Sequence, residues 1–406
     1  MRFVHIADVH LGAQPDAGPL YSENRPQELW DTFEHVIRVC EEERTDLLLI
    51  AGDLFHRQPL LRELREVDYL FSRLTHTKVV LIAGNHDYIR RDSYYRTFRW
   101  SENVYPLFGR NLEYVDFPEL GTAVYGLSYH SREISEPLYD GAAPAGAEPI
   151  EILLAHGGDQ KHIPIDRKVL ASSGFCYIAL GHIHKPQALE KDRIIYAGAL
   201  EPVDRNDTGP HGYIRGEASK AVVRTQWIPC AEREYIHLEL DVDGSDTEGS
   251  VRERIRQYID EQGNNNIYKI TLIGKRSPDI IFDTKRIAGM GNILEVADET
   301  CPAYDITRLL EENRENLLGQ YISHFAGCRE GSLEYEALCE GIDAILAGRE
   351  CGSGFIGKGP AGEGAAGKRR KRAEKPAEDT GEREQAWSSE NYISKISENL
   401  KNATFI

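Results

Sequence analysis

The chain has 406 residues, with 48 Lys+Arg against 66 Asp+Glu and a net charge of −18 with histidine neutral. Such acidity excludes coating of nucleic acid through bulk charge, which relies on clustered cations, so a polyanion would have to be handled by local chemistry. A hydrophobic content of 41% excludes wholesale disorder, and the length predicts two or three domains.

Phe3–Ala7 reads as a short apolar strand ending in Asp8-Val9-His10. Trp30, Phe33, Ile37 and Cys40 then recur at helical spacing. Asp46–Ala51 is a buried-type strand ending at Gly52-Asp53, Leu61, Leu64 and Leu74 mark a second helix, and Val79–Ala83 is a third strand ending in Gly84-Asn85-His86-Asp87. This rhythm predicts crossover connections onto a largely parallel sheet. Beyond about residue 110 short strands come at Thr122–Ser128, Ile150–Ala155, Tyr177–Leu180, Arg193–Ala197 and Ala221–Ile228, enough for a second sheet packed on the first. Residues 137–149, rich in Pro, Gly and Ala, read as a loop.

His237–Val242, a helix near 249–262, Tyr268–Ile273 and Asp279–Phe282 predict a small α+β unit. Leu310, Leu317, Tyr321 and Phe325 fall on one helical face, and Tyr335, Leu338, Ile342 and Ile345 step by three and four. The domain limits expected are 1–230, 231–302, a helical region at 303–347, a Gly-rich charged linker at 348–386 and a short segment at 387–406. Apolar runs such as Leu47–Ala51 fall far short of the ~20 residues of a spanning helix. Met1–Asp8 lacks the apolar core of a secretory signal, and seven cysteines without a Cys-x-x-Cys pair suit free thiols in a reducing cytoplasm.

The residues that can carry chemistry sit just past the strand ends. Asp8-x-His10, Gly52-Asp53, Gly84-Asn85-His86-Asp87, His156-Gly157 and Gly181-His182-x-His184 each come after an apolar run. Ligands of open α/β sheets bind at the carboxyl ends of strands, so five strand ends deliver oxygen and imidazole donors to one rim. A carboxylate can bridge two cations with its two oxygens, and an Asn carbonyl adds a donor without charge. Mixed carboxylate, amide and imidazole donors without thiolate suit Mn²⁺, Fe²⁺ or Zn²⁺.

In order and spacing these motifs resemble the calcineurin-like metallophosphoesterase superfamily. Gly52-Asp53-Leu54-Phe55-His56 and the added C-terminal regions resemble its SbcD-like branch of DNA repair nucleases. The resemblance implies a four-layer α/β/β/α sandwich with a small α+β capping domain that contacts DNA and a C-terminal helical arm. It places Asp8, His10 and His184 on one metal ion, Asn85, His156 and His182 on a second, and Asp53 between them. It implies Mn²⁺ as the metal, His86 as the group that stabilises the transition state or protonates the leaving oxygen, and His56 as the group that orients the scissile phosphate. Asp87 is expected to orient His86 or its loop rather than bind metal. Two ions ~3.5–4 Å apart polarise a phosphoryl oxygen and activate water for in-line attack.

The same resemblance implies a cytoplasmic bacterial DNA exonuclease acting in double-strand-break repair and recombination, and it extends to nucleoid association and to endonuclease action. The protein would be a homodimer through the helices at 27–44 and 60–75, and its C-terminal helices would grip an SbcC-like coiled-coil ATPase. Packing of those helices within the chain is the competing expectation. Tyr196-Ala197-Gly198-Ala199 departs from the Tyr-Pro-Gly-Ser common in SbcD-like proteins, and Asp207-Thr208-Gly209-Pro210-His211-Gly212 resembles the Glu-Thr-Gly-x-His-Gly variant of the YhaO-like subgroup. Arg90, Arg91, Tyr94 and Tyr95, directly after the Gly-Asn-His-Asp motif, are expected to contact DNA, with a surface helix bearing a buried aromatic face as the alternative. Lys368–Arg372 is a basic run that would be either a solvated tail or a contact for nucleic acid or a partner. Two competing functions are a phosphoesterase for small substrates and a non-catalytic scaffold of the same fold.

Overall fold

Alternation of side chains along each strand explains the two large sheets of this protein, whose computed structural model describes residues 1–16, 19–329 and 331–352. The first strands are β1 (Arg2–Ile6), followed by helix α1 (Arg25–Glu42), β2 (Leu47–Ala51), helix α2 (Leu61–Ser72), β3 (Lys78–Ile82) and β4 (Val104–Pro106). Leu48 and Ile50 of β2 point to one face with Phe33 and Val67 of the two helices, while Leu47 and Leu49 point to the other. Strands buried on both faces read as continuous apolar runs, which is why Leu47–Ala51 shows no polar alternation.

The chain then builds β5 (Glu113–Phe117), β6 (Thr122–Gly126), β7 (Ile150–His156), helix α3 (Arg167–Ser172), β8 (Tyr177–Gly181), β9 (Gln187–Glu190) and β10 (Ile194–Tyr196). It returns to the first sheet with β11 (Gly212–Ala218) and β12 (Val223–Pro229). The strand orders are β12-β11-β1-β2-β3-β4 and β5-β6-β7-β8-β10-β9. In each sheet the central strands run parallel, and antiparallel pairs lie toward the edges. The sheets pack face to face through Phe3, Leu47, Leu49, Val80, Ile152, Leu154 and Tyr177. This is the α/β/β/α sandwich expected, although among the described residues the layer on the second sheet's outer face holds one short helix, α3, and is otherwise loop packed with Tyr129 and Tyr139.

Strand β13 (Tyr235–Val242), helix α4 (Glu248–Gln262), β14 (Ile267–Arg276), helix α5 (Thr284–Ala288), β15 (Ile293–Asp298) and β16 (Cys301–Pro302) form a third, wholly parallel sheet with its own apolar cluster. Asp279–Phe282, expected as one of the elements of this unit, is irregular: Pro278 lacks a donor, and the Ile280 amide closes a turn onto the Ser277 carbonyl. Phe282 still enters the core of this unit.

Helices α6 (Ile306–Glu312), α7 (Leu317–His324) and α8 (Leu333–Gly352) complete the described chain. The single face expected through Leu310, Leu317, Tyr321 and Phe325 is broken by Asn316, whose side chain caps α7 by accepting from the amides of Leu318 and Gly319. Register shifts accordingly, leaving Leu317 67% exposed while Leu318 and Ile322 are buried against Leu338 and Ile342. The apolar stripe of this region therefore closes largely on itself. Among the described residues no helix is long and apolar enough to cross a membrane. The linker expected at 348–386 begins inside α8, which runs to Gly352, and the rest of it lies with the expected terminal segment and Lys368–Arg372 outside the described residues.

Candidate metal centre

Backbone pairing carries the two sheets' carboxyl ends to a common rim. Beyond β1 and β2 the chain continues side by side, with the Asp8 amide donating to the Gly52 carbonyl at 3.1 Å and the His10 amide to the Asp53 carbonyl at 3.0 Å. Across the sandwich, the His182 amide donates to both carboxylate oxygens of Asp8, at 3.1 and 2.9 Å. Asp8, His10, Asp53 and His182 all have positive φ, at 50°, 51°, 51° and 97°. Left-handed backbone is costly for such residues, and its concentration here marks a site whose surroundings enforce the geometry. Gly84 has a packing reason: a Cβ there would lie 2.3 Å from Oδ1 of Asp53.

The seven residues expected as metal ligands are brought together. Nε2 of His10 and Nε2 of His184 lie 3.0 Å apart, and both residues share a cluster with Asp8. Oδ1 of Asn85 is 2.9 Å from Nε2 of His156 and 3.1 Å from Nδ1 of His182. Asp53 stands between the groups, its Oδ2 3.3 Å from Nε2 of His156 and its Oδ1 accepting from the His86 amide at 2.8 Å. Nitrogens held at ~2.1 Å from one cation at right angles to each other are ~3.0 Å apart. The His10–His184 spacing matches that arrangement, and the donor set of carboxylate, amide and imidazole fits hard or borderline divalent ions.

Charge balance agrees with this geometry. Burial drives Asp8 above the ordinary carboxylate range, against the pull of His156 and His184. Burial would raise Asp53 too, but His156, His10 and His86 together hold it far below that range. Burial would lower His156 and His184, yet Asp53 pushes the first up to about 9 and Asp207 the second up to about 9. Asp53, His156 and His184 thus favour their charged forms, and a divalent ion binding there would take the place of the imidazolium protons.

His86 and His56 flank the cluster on its open side. His86 is half-buried and donates Nδ1–H to the His56 carbonyl at 3.0 Å, which leaves its Nε2 as the free ring nitrogen. The exposed His56 ring stands 4.9 Å from that of His86 and 5.2 Å from that of His10, centre to centre. The Asp87 carboxylate bonds to the loop and to Tyr95 rather than to the His86 ring. It is buried, accepts from the amides of Gly84 and Phe55 and from the Tyr95 hydroxyl, and so fixes the loop.

That bond corrects the expectation for Tyr95, which is 4% exposed and unavailable as a DNA contact. The segment is a 3-10 turn over Tyr94–Arg96 rather than a surface helix. Arg90 pairs with Asp92 at 3.1 Å, whereas Arg91 is exposed and Tyr94 is 46% exposed.

Sequence reasoning gives no role to two carboxylates that the structure places behind the histidines. Asp207 accepts from Nδ1 of His184 at 2.9 Å, and Asp159 accepts from Nε2 of His182 at 2.9 Å. A signal for the second exists in His156-Gly157-Gly158-Asp159, where paired glycines after a strand announce a sharp return of the chain.

The family model for calcineurin-like phosphoesterases matches residues 1–186. The protein named uncharacterized metallophosphoesterase YhaO of Bacillus subtilis is 30% identical over 234 residues, covering 52% of this chain and 56% of the relative. The DNA double-strand break repair protein Mre11 of Methanocaldococcus jannaschii is 32% identical over 221 residues, covering 51% and 58%. Mre11 of Haloferax volcanii is 28% identical over 267 residues, covering 63% and 58%. The chain thus spans a little over half the length of these curated relatives.

Proposed function

We propose, from the match of residues 1–186 to the family model for calcineurin-like phosphoesterases, that the protein is a two-metal DNA nuclease of the break-repair type, using Mn²⁺. The observation that carries this reading is the meeting of Asp8, His10 and His184 with Asn85, His156 and His182 around a single buried Asp53. Asp8, His10 and His184 would hold one ion, Asn85, His156 and His182 the other, and Asp53 both. Bound there, divalent ions supply Lewis acidity toward a phosphoryl oxygen and lower the pKa of a water.

The chain's own side chains do the rest. His86, with Nδ1–H committed to the His56 carbonyl, keeps Nε2 for the leaving oxygen; entering the step as the imidazolium, it gives up the Nε2 proton and is left neutral with Nδ1–H still bonded. His56, exposed on the open side of the cluster, orients the phosphate as a hydrogen-bond donor. Exposed Arg91 and Tyr94 lie on the segment after this motif and are suited to backbone clamping and base stacking. The parallel unit from β13 to β16 would cap the rim, a reading supported by its contacts with Arg205, whose carbonyl accepts from His237 at 3.0 Å and whose side chain pairs with Glu295 at 3.7 Å. A cap beside the rim suits a polymer better than a small ester. Assembly as a cytoplasmic homodimer, with an SbcC-like coiled-coil ATPase docked on the helical region after residue 303, is part of this proposal; it requires a surface other than the stripe that Leu318, Ile322, Leu338 and Ile342 close among themselves.

The test compares Mn²⁺-dependent cleavage of a DNA hairpin with that of bis-p-nitrophenyl phosphate. Both substrates are expected to be cleaved. Turnover of the small ester alone would remove the nuclease assignment and leave a small-substrate phosphodiesterase.

A further inference from the structure

Behind His182 stands a carboxylate whose hydrogen bonds are fully committed. Oδ1 of Asp159 accepts from the amides of Lys161 and His162, at 2.7 and 3.0 Å. Oδ2 accepts from Nδ1 of His162 at 2.8 Å and from Nε2 of His182 at 2.9 Å. The loop exists because Gly157 and Gly158 adopt φ of +146° and +143°, and a Cβ on Gly157 would lie 2.4 Å from the His162 carbonyl oxygen. A carboxylate can only accept, so the ring proton of His182 sits on Nε2 and the lone pair of Nδ1 faces Asn85, 3.1 Å away.

The neighbouring histidine is handled with the opposite nitrogen. Asp207 takes Nδ1–H of His184 and leaves Nε2 facing His10. Each expected ion therefore has its own outer carboxylate, and each carboxylate selects a different tautomer.

We infer that Asp159 is a positioning residue that sets the His182 tautomer and thereby the affinity for the ion held with Asn85 and His156. The inference rests on the two-ion reading of the site. Outer partners of this kind are worth ~10–100-fold in metal affinity.

Asparagine is the informative substitution. The Lys161 and His162 amides pin the oxygen of an Asn side chain on the loop side, so its NH₂ group faces His182. An NH₂ donates where Asp159 accepts, and it favours the tautomer that protonates Nδ1 and closes the ligand position. In Asp159→Ala a water can replace the acceptor.

The experiment titrates full-length protein with Mn²⁺, reading calorimetry and the spin-coupled EPR signal of a dinuclear centre. Thermal melting checks the fold, and ¹⁵N NMR of labelled histidine reads the tautomer. Wild type is expected to take two equivalents. Asp159→Asn keeps the first and binds the second ~10–100-fold more weakly, with an Nδ1–H signal at His182. Asp159→Ala falls between the two. Wild-type affinity for both ions in Asp159→Asn would overturn the inference while leaving the two-ion reading intact, as would a larger loss in Asp159→Ala, which would mark a merely structural loop residue. A wild-type protein that takes only one ion would overturn both.

Discussion

His86→Ala is expected to lower turnover of either phosphodiester substrate by ~10²–10⁴-fold, the usual worth of a positioned general acid, while metal binding stays as in wild type. The geometry separates these two properties. The His86 side chain donates to the His56 carbonyl and faces the open side, and the hydrogen bond it gives Asp53 comes from its backbone amide. An alanine keeps that amide. Parallel measurement of kcat and of Mn²⁺ affinity checks the prediction, and unchanged turnover would show that the proton comes from elsewhere. Lost metal binding would place His86 among the ligands instead.

Asp53→Asn should have the opposite profile and the larger effect on metal. Asparagine preserves the shape and the bond from the His86 amide, but it removes the charge that holds His156 up to about 9. Because Asp53 stands between both donor groups, both ions should weaken, by ~100-fold or more, given that even an outer partner is worth ~10–100-fold. This differs from the single-ion loss expected at Asp159. Metal titration of Asp53→Asn shows which holds. Loss of only one ion would mean that the carboxylate serves one side and does not bridge.

Much of the site is legible in the sequence because its parts are local. Asp8-x-His10 and Gly181-His182-x-His184 each place donors within a few residues of a strand end, and apolar strands such as Leu47–Ala51 announce themselves by composition. The glycines carry information of the same short range, as Gly84 does by leaving room for Asp53. What escapes is set by tertiary contact. Asp159 and Asp207 meet histidines 23 residues away in each case, through loops whose course no spacing rule gives.

Strand β11 escapes because Gly212, Arg215, Gly216 and Glu217 interrupt its apolar pattern, yet pairing with β1 still holds it in the sheet. Tyr95 shows the opposite error. Beside Arg and Tyr residues it looks like a stacking platform, but its hydroxyl is needed by buried Asp87 and its ring by the core around Phe55 and Phe108. Burial, which decides between the two readings, is not written in the local sequence.

The most direct test is diffraction from crystals grown with Mn²⁺, collected at the manganese absorption edge. Two anomalous peaks ~3.5–4 Å apart on either side of the Asp53 carboxylate are the predicted result, one beside His10 and His184 and the other beside His156 and His182. A single peak, or two peaks too far apart to share Asp53, would contradict the account.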